Sequence, residues 1–197
     1  MPNLVLYMSM SLDGFITGPE DGPEHGLGVN GTRLHDWLTS GGIDPVSHRP
    51  SSGPSAQIFD EMMDTGSVIA GRRTFDIAQG WNGDHHNGVP VFVPTHTPPD
   101  GEPPGNVRFI NDGIESCAEQ AKAAAGDRNV MVHGANTAQE LLRAGLLDEM
   151  EIHLVPVLLG EGRRLFESLG FEHIELLLTR ALEAPGVIHL HYDVLYA

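Results

Sequence analysis

The chain has 197 residues, 40% of them hydrophobic and 19% charged, a composition that suits an ordinary globular protein with one sizeable core. Its formal net charge of -16, with Lys122 the single lysine, argues against a nucleic-acid partner, because phosphate backbones are held by clustered Lys and Arg. No apolar run approaches the roughly 20 residues that cross a bilayer. The N-terminal MPNLVLYMSM lacks a basic region ahead of an apolar core, so no membrane partner and no export signal are expected. A lone cysteine, Cys117, cannot form an internal disulfide and fits a cytoplasmic location.

In chain order, residues 3–11 (NLVLYMSMS) alternate as a half-buried strand with Leu4, Leu6, Met8 and Met10 on one face. Residues 18–30 and 40–54 are rich in Gly, Pro and Ser and predict long loops, with a short helix over TRLHDWLTS between them. SAQIFDEMMDTG predicts a helix with Ser55 as N-cap, Ile58 and Met62 inward and Gly66 at its end. SVIAG is a short strand that runs into RRTFDIAQG. VPVFV and NVRFI are further strands around the loop THTPPDGEPPG. GIESCAEQAKAAAG is a helix, NVMVHG a strand, and ANTAQELLRAGLL a helix burying Leu141, Leu142 and Leu146. DEMEIHLVPVLLG predicts a long strand with Met150, Ile152 and Leu154 together. FEHIELLLTRALE and VIHLHYDVLY form a hairpin around Pro185-Gly186. No repeat or interdomain linker is visible, so residues 1–197 are expected to form a single domain. Repeated strand-helix units followed by adjacent strands predict a mostly parallel sheet between helices, with an antiparallel pair at its C-terminal edge.

Three glycine turns carry the chemistry. In SVIAGRRTFD a strand ends at Gly71 and a helix begins with Arg72, Arg73 and Thr74. A helix N-terminus offers unpaired N–H groups and partial positive charge, so the turn suits an anionic ligand. Exposed arginines on a capped helix are the plainer alternative. NVMVHGANTAQELL repeats the pattern, with His133, Gly134, Ala135, Asn136 and Thr137 at the second helix start; it is not a G-x-G-x-x-G fingerprint. Two such turns suit an extended ligand with two phosphate regions. In LLGEGRRLF, Gly160 and Gly162 precede Arg163-Arg164 and are expected to lead toward a helix along a substrate-side wall. The eleven histidines include His85-His86 and, on one strand face, His189 and His191, but no metal-ligand spacing occurs and no metal is expected.

Taken together and in this order, SMSLDGFITG, VIAGRRTFD, VPVFVPTHTPP and VHGANTAQELLRAGLLDEMEIHLVPVLLGEGRRLF resemble the dihydrofolate reductase-like superfamily. The resemblance is closest to the reductase domain of bifunctional riboflavin-pathway deaminase-reductases. It implies a three-layer α/β/α fold, NADPH as hydride donor and a homodimer. Arg72, Arg73 and Thr74 would hold cofactor phosphates, with Thr95 and His96 by the adenosine end. Gly134 to Thr137 would cradle the pyrophosphate and nicotinamide half, and Ser9, Ile16 and Thr17 would border the nicotinamide ring. Asp13, with the turn at Gly160 and Gly162, would face the substrate, as a catalytic acid or a hydroxyl ligand. Asp-Gly is also a common turn pair whose carboxylate caps its own loop.

Two departures bear on the substrate. Folate reductases carry an acid near the start of the helix that here begins Ser55-Ala56-Gln57, with Asp60 and Glu61 only later. Relatives have Gly-Gly where this chain has His133-Gly134, so His133 would either crowd or contact the cofactor. The expected activity is reduction of a ribosylamino-pyrimidine-type substrate. The alternatives are a non-catalytic nucleotide-binding protein and a folate reductase using Asp60 or Glu61.

Overall fold

The computed structural model describes residues 1–40, 49–167, 169–170 and 173–196. Part of the expected loop over 40–54, namely 41–48, lies outside the described residues, as do 171–172 at the start of the expected hairpin.

The central sheet has the strand order β5 (Val107–Ile110), β4 (Val91–Pro94), β3 (Ser67–Ala70), β6 (Val130–His133), β1 (Leu4–Ser11), β7 (Glu149–Val155), β10 (Val187–Leu195), β9 (Glu175–Ala184). The first six run parallel and the last two antiparallel, as expected. A parallel sheet needs cover on both faces, and β1 shows it. Leu4 and Leu6 pack beneath α4 (Ile114–Ala125) and α5 (Ala135–Arg143), while Val5 and Tyr7 are buried on the other face. That second face is covered by α2 (Gly53–Met63) and α3 (Arg72–Ile77), and by Trp37 of α1 (Trp37–Ser40). The result is a three-layer α/β/α arrangement whose carboxyl edge carries the loops and helix starts of interest.

Several local expectations differ. Helix α2 starts at Gly53-Pro54, because Pro is tolerated where the first-turn N–H has no partner, so the N-cap position falls to Ser52. Ser55 is buried instead, with its hydroxyl 3.2 Å from His189 Nε2. Gly66 does not end α2, which stops at Met63; a Cβ there would lie 2.3 Å from the Ala125 carbonyl oxygen, so the glycine admits the end of α4. Helix α5 stops at Arg143 and the chain turns at Gly145 (φ 67), after which Leu146 packs half-buried against the core and Leu147 is fully buried in it.

The expected long strand over 148–160 ends at Val155, and GEGRRLF does not lead into a helix. It forms a two-residue strand, β8 (Arg163–Arg164), antiparallel to β2 (Phe15–Thr17). The backbones meet so closely that a Cβ on Gly162 (φ 133) would lie 2.0 Å from the Thr17 carbonyl oxygen. The apolar pair Phe15-Ile16 is thus a short buried strand, with the Arg164 guanidinium 4.5 Å over the Phe15 ring.

Candidate functional site

Strands β3 and β6 are parallel neighbours, and each ends in a glycine followed by a helix. The two turns interlock. Gly71 N–H donates to the His133 carbonyl at 3.0 Å. A Cβ on Gly71 would lie 2.8 Å from Thr137 Oγ1, and one on Gly134 (φ 98) the same 2.8 Å from Thr74 Oγ1. Only hydrogen fits at either position, so each turn is held against the other's threonine hydroxyl. Both helix starts therefore open on one stretch of the carboxyl edge, where open α/β sheets bind ligands. The cleft there has a volume of about 510 Å³. It is lined by twelve of the expected residues: Ile16, Thr17, Gly71, Arg72, Arg73, Thr74, Thr95, His96, Gly134, Ala135, Asn136 and Thr137.

Its arginines are engaged within the chain. Arg72 Nε donates to both Asp76 oxygens, at 2.9 and 3.0 Å, and its guanidinium lies 5.7 Å over Phe109. Arg73 clamps Asp21, with Nε to Oδ2 at 2.9 Å and Nη2 to Oδ1 at 2.8 Å. Arg163 Nε approaches the same carboxylate at 3.6 Å. Arg73, ahead of Arg163, holds the Asp21 carboxyl below the usual carboxylate range, against the opposing effect of burial. Sequence reading missed Asp21. It sits in a Gly/Pro loop, and no local pattern ties it to an arginine 52 positions later.

Five expected site residues lie outside the cleft lining. The Ser9 hydroxyl accepts from the Trp37 indole N–H at 2.9 Å. The Asp13 carboxylate accepts from the Ser11 hydroxyl (2.6 Å), Leu159 N–H (3.2 Å) and Gly160 N–H (2.7 Å), so it ties the β1–β2 turn to the glycine turn. The Ser11 hydroxyl, ahead of those amides, holds the Asp13 carboxyl below its ordinary range, which suits an anchor and not a proton donor. Gly160 and Gly162 thereby serve the turn and the β2–β8 contact. His133 is not among the residues that line the cleft. Burial pushes its pKa down to about 4, and the neutral ring's Nδ1–H donates to the Tyr7 carbonyl at 3.0 Å while the ring stacks on His85.

The alternative acids are also committed elsewhere: Asp60 pairs with Arg49 at 2.7 Å, and Glu61 with Arg180 at 2.7 Å. Neither lines the cleft. Cys117 is buried and its thiol is pushed up to about 12, mainly by that burial, so it is no nucleophile.

Residues 2–190 match the family model of the RibD C-terminal domain. The chain belongs to the RibD C-terminal domain family. The uncharacterized protein YwjB of Bacillus subtilis (strain 168) is 30% identical over 196 residues, 95% of this chain and 95% of YwjB. A putative riboflavin biosynthesis protein from Shewanella sp. PV-4 shares the fold, with a TM-score of 0.73 and 22% identity over 98% of this chain and 99% of its own. The diaminohydroxyphosphoribosylaminopyrimidine deaminase/5-amino-6-(5-phosphoribosylamino)uracil reductase of Thermotoga maritima matches with a TM-score of 0.57 and 12% identity. That match covers 98% of this chain and 56% of the Thermotoga protein. The fold is the dihydrofolate reductase-like one expected.

Proposed function

We propose that this chain is an NADPH-dependent reductase that transfers hydride to a small heterocyclic substrate of the ribosylamino-pyrimidine class. The observation that carries the reading is the pair of interlocked glycine turns, which set two threonine hydroxyls and two arginines around one cleft in a chain of the RibD C-terminal domain family. The donor set fits a dinucleotide phosphate. Thr74, Thr137 and the first amides of α5 supply neutral donors, and Arg72 and Arg73 supply charge. Thr95 and His96 would flank the adenosine end, and Ile16 and Thr17 the nicotinamide. NADPH, when bound, supplies the hydride. The chain's part is to bind and orient it, and Asp13 holds the β1–β2 turn to the 159–160 segment beside the site.

Isothermal calorimetry with NADPH tests the reading, followed by cofactor oxidation with the ribosylamino-pyrimidine substrate. Saturable binding with substrate-dependent oxidation is expected, and Asp13→Asn should retain cofactor binding. No NADPH binding to the folded chain at millimolar concentration would sink the reading. Binding without oxidation would favour a nucleotide-binding protein.

No described helix is long and apolar enough to cross a membrane. The edge strand β9 exposes Leu176, Leu177 and Leu178 in succession, so apolar side chains face solvent on both sides of it. Such an edge invites pairing, and we assign it to a second copy of the chain. Sedimentation velocity should give a dimer for the wild type and a monomer for Leu177→Lys; a monomeric wild type would refute the assignment.

A further inference from the structure

Away from the cleft, strands β7 and β10 bring three metal-ligating side chains together. Glu151 and His153 stand two apart on β7 and so face the same side of the sheet. The antiparallel register sets His189 opposite His153. One donor atom from each of Glu151, His153 and His189 lies within 4.8 Å of the other two. The three residues are 0%, 2% and 0% exposed, respectively.

The cluster does not satisfy itself. His153 Nδ1 and His189 Nδ1 meet at 3.0 Å, and His189 Nε2 reaches Ser55 Oγ at 3.2 Å. A neutral imidazole has one N–H and one lone pair, so His153 Nε2 is left over whichever tautomer is chosen. That atom and Glu151 Oε1 are both buried without a hydrogen-bond partner. Two unpaired polar atoms in one fully buried cluster call for a cause, and an ion is one of the few available. The other carboxylate oxygen, Glu151 Oε2, is held by Arg180 at 2.9 Å and His191 at 2.7 Å, which leaves Oε1 for a ligand.

We propose that Glu151, His153 and His189 form a binding site for a borderline transition-metal ion, with zinc as the representative. Two imidazoles and one carboxylate suit such an ion, whereas calcium and magnesium require more oxygen donors. The surroundings are those of a ligand shell: Ser55 orients His189, Arg180 and His191 orient Glu151. The Trp37 ring lies 4.7 and 4.9 Å from the two imidazoles and shields them. Three protein donors leave a fourth position for water. The site lies apart from the cleft lining and does not depend on the proposed reductase activity.

The full chain, stripped with a chelator, is titrated with Zn²⁺ and, separately, with Co²⁺. The expected result is one ion per chain, intense tetrahedral Co²⁺ absorption bands and a higher melting temperature with Zn²⁺. His153→Gln and His189→Gln should each lower affinity by at least about tenfold. Asp193→Asn, in the more exposed cluster Glu149, His191 and Asp193, should leave it unchanged. The proposal is overturned if the folded wild type takes up neither ion, or if binding survives both histidine variants. Should those variants fail to fold, the wild-type Co²⁺ spectrum decides, and weak octahedral bands overturn the proposal.

Discussion

If the proposed cofactor reading holds, Asp21→Asn should tighten NADPH binding and Arg73→Ala should weaken it. The Asp21 carboxylate occupies the fork of Arg73 in the bidentate manner that a phosphate would use, and Arg163 faces it from 3.6 Å. A cofactor phosphate bound there would have to compete with this internal anion. The Asp21 side chain is 11% exposed but Arg73 is 49% exposed, so the pair is worth no more than a surface ion pair, about 0.2–1 kcal/mol. Removing the carboxylate should therefore raise affinity by at most about fivefold, a gain that fades at high salt. Charge-assisted hydrogen bonds to a phosphate contribute about 1.5–3 kcal/mol, so Arg73→Ala should lower NADPH affinity by roughly 10- to 100-fold. NADH should lose less, if Arg73 meets the 2′-phosphate. Fluorescence titration of both cofactors measures this. Equal losses for NADPH and NADH would remove Arg73 from that role, and weaker binding by Asp21→Asn would show that Asp21 holds the loop in a binding shape.

The parts of this arrangement that were legible in the sequence are those written in one contiguous string. Gly71 to Thr74 and Gly134 to Thr137 each follow an apolar run and open a helical one, so their place at strand ends could be read without knowing what lay opposite. That Gly71 faces Thr137 and Gly134 faces Thr74 could not, because it depends on β3 and β6 being neighbours. The same limit hid the Asp21–Arg73 clamp and the pairing of β2 with β8. On β1, alternation suggested one buried face, yet Val5 and Tyr7 on the other face are buried as well. Tyr on a strand looks like a solvent-side residue until α2 is laid over it. Asp13 divides between the two cases: its contact with the Ser11 hydroxyl is local, but the Leu159 and Gly160 amides it accepts from lie 146 and 147 positions later and could not be read from the turn pair alone.

Arg180→Met should cost about 3 kcal/mol of stability, because it strands a charge that cannot reach water. Arg180 on β9 pairs in register with His191 on β10, which pairs with Glu151 on β7. A row of three strands is thus tied by one chain of charges. Arg180 Nη2 donates to Glu151 Oε2 at 2.9 Å, and the same guanidinium grips both Glu61 oxygens of α2, at 2.9 and 2.7 Å. The Glu151 side chain is fully buried, whereas Arg180 is 29% exposed, so the arginine could lose its charge to a mutation while the carboxylate stays in the core. Breaking a buried pair from one side typically costs about 3–5 kcal/mol. The lower figure applies here because His191 still faces Glu151 at 2.7 Å. For a chain of this length that corresponds to a melting temperature lower by about 6–12 °C. Adding Glu151→Gln to Arg180→Met removes the stranded charge and should recover part of the loss. Arg49→Met, which breaks an exposed pair with Asp60, should shift stability by no more than about 0.5 kcal/mol. Calorimetric melting is done on chelator-treated protein, since an ion on Glu151 Oε1 would replace part of the missing positive charge. Equal, small shifts for Arg180→Met and Arg49→Met would mean that Glu151 reaches solvent more readily than its burial implies.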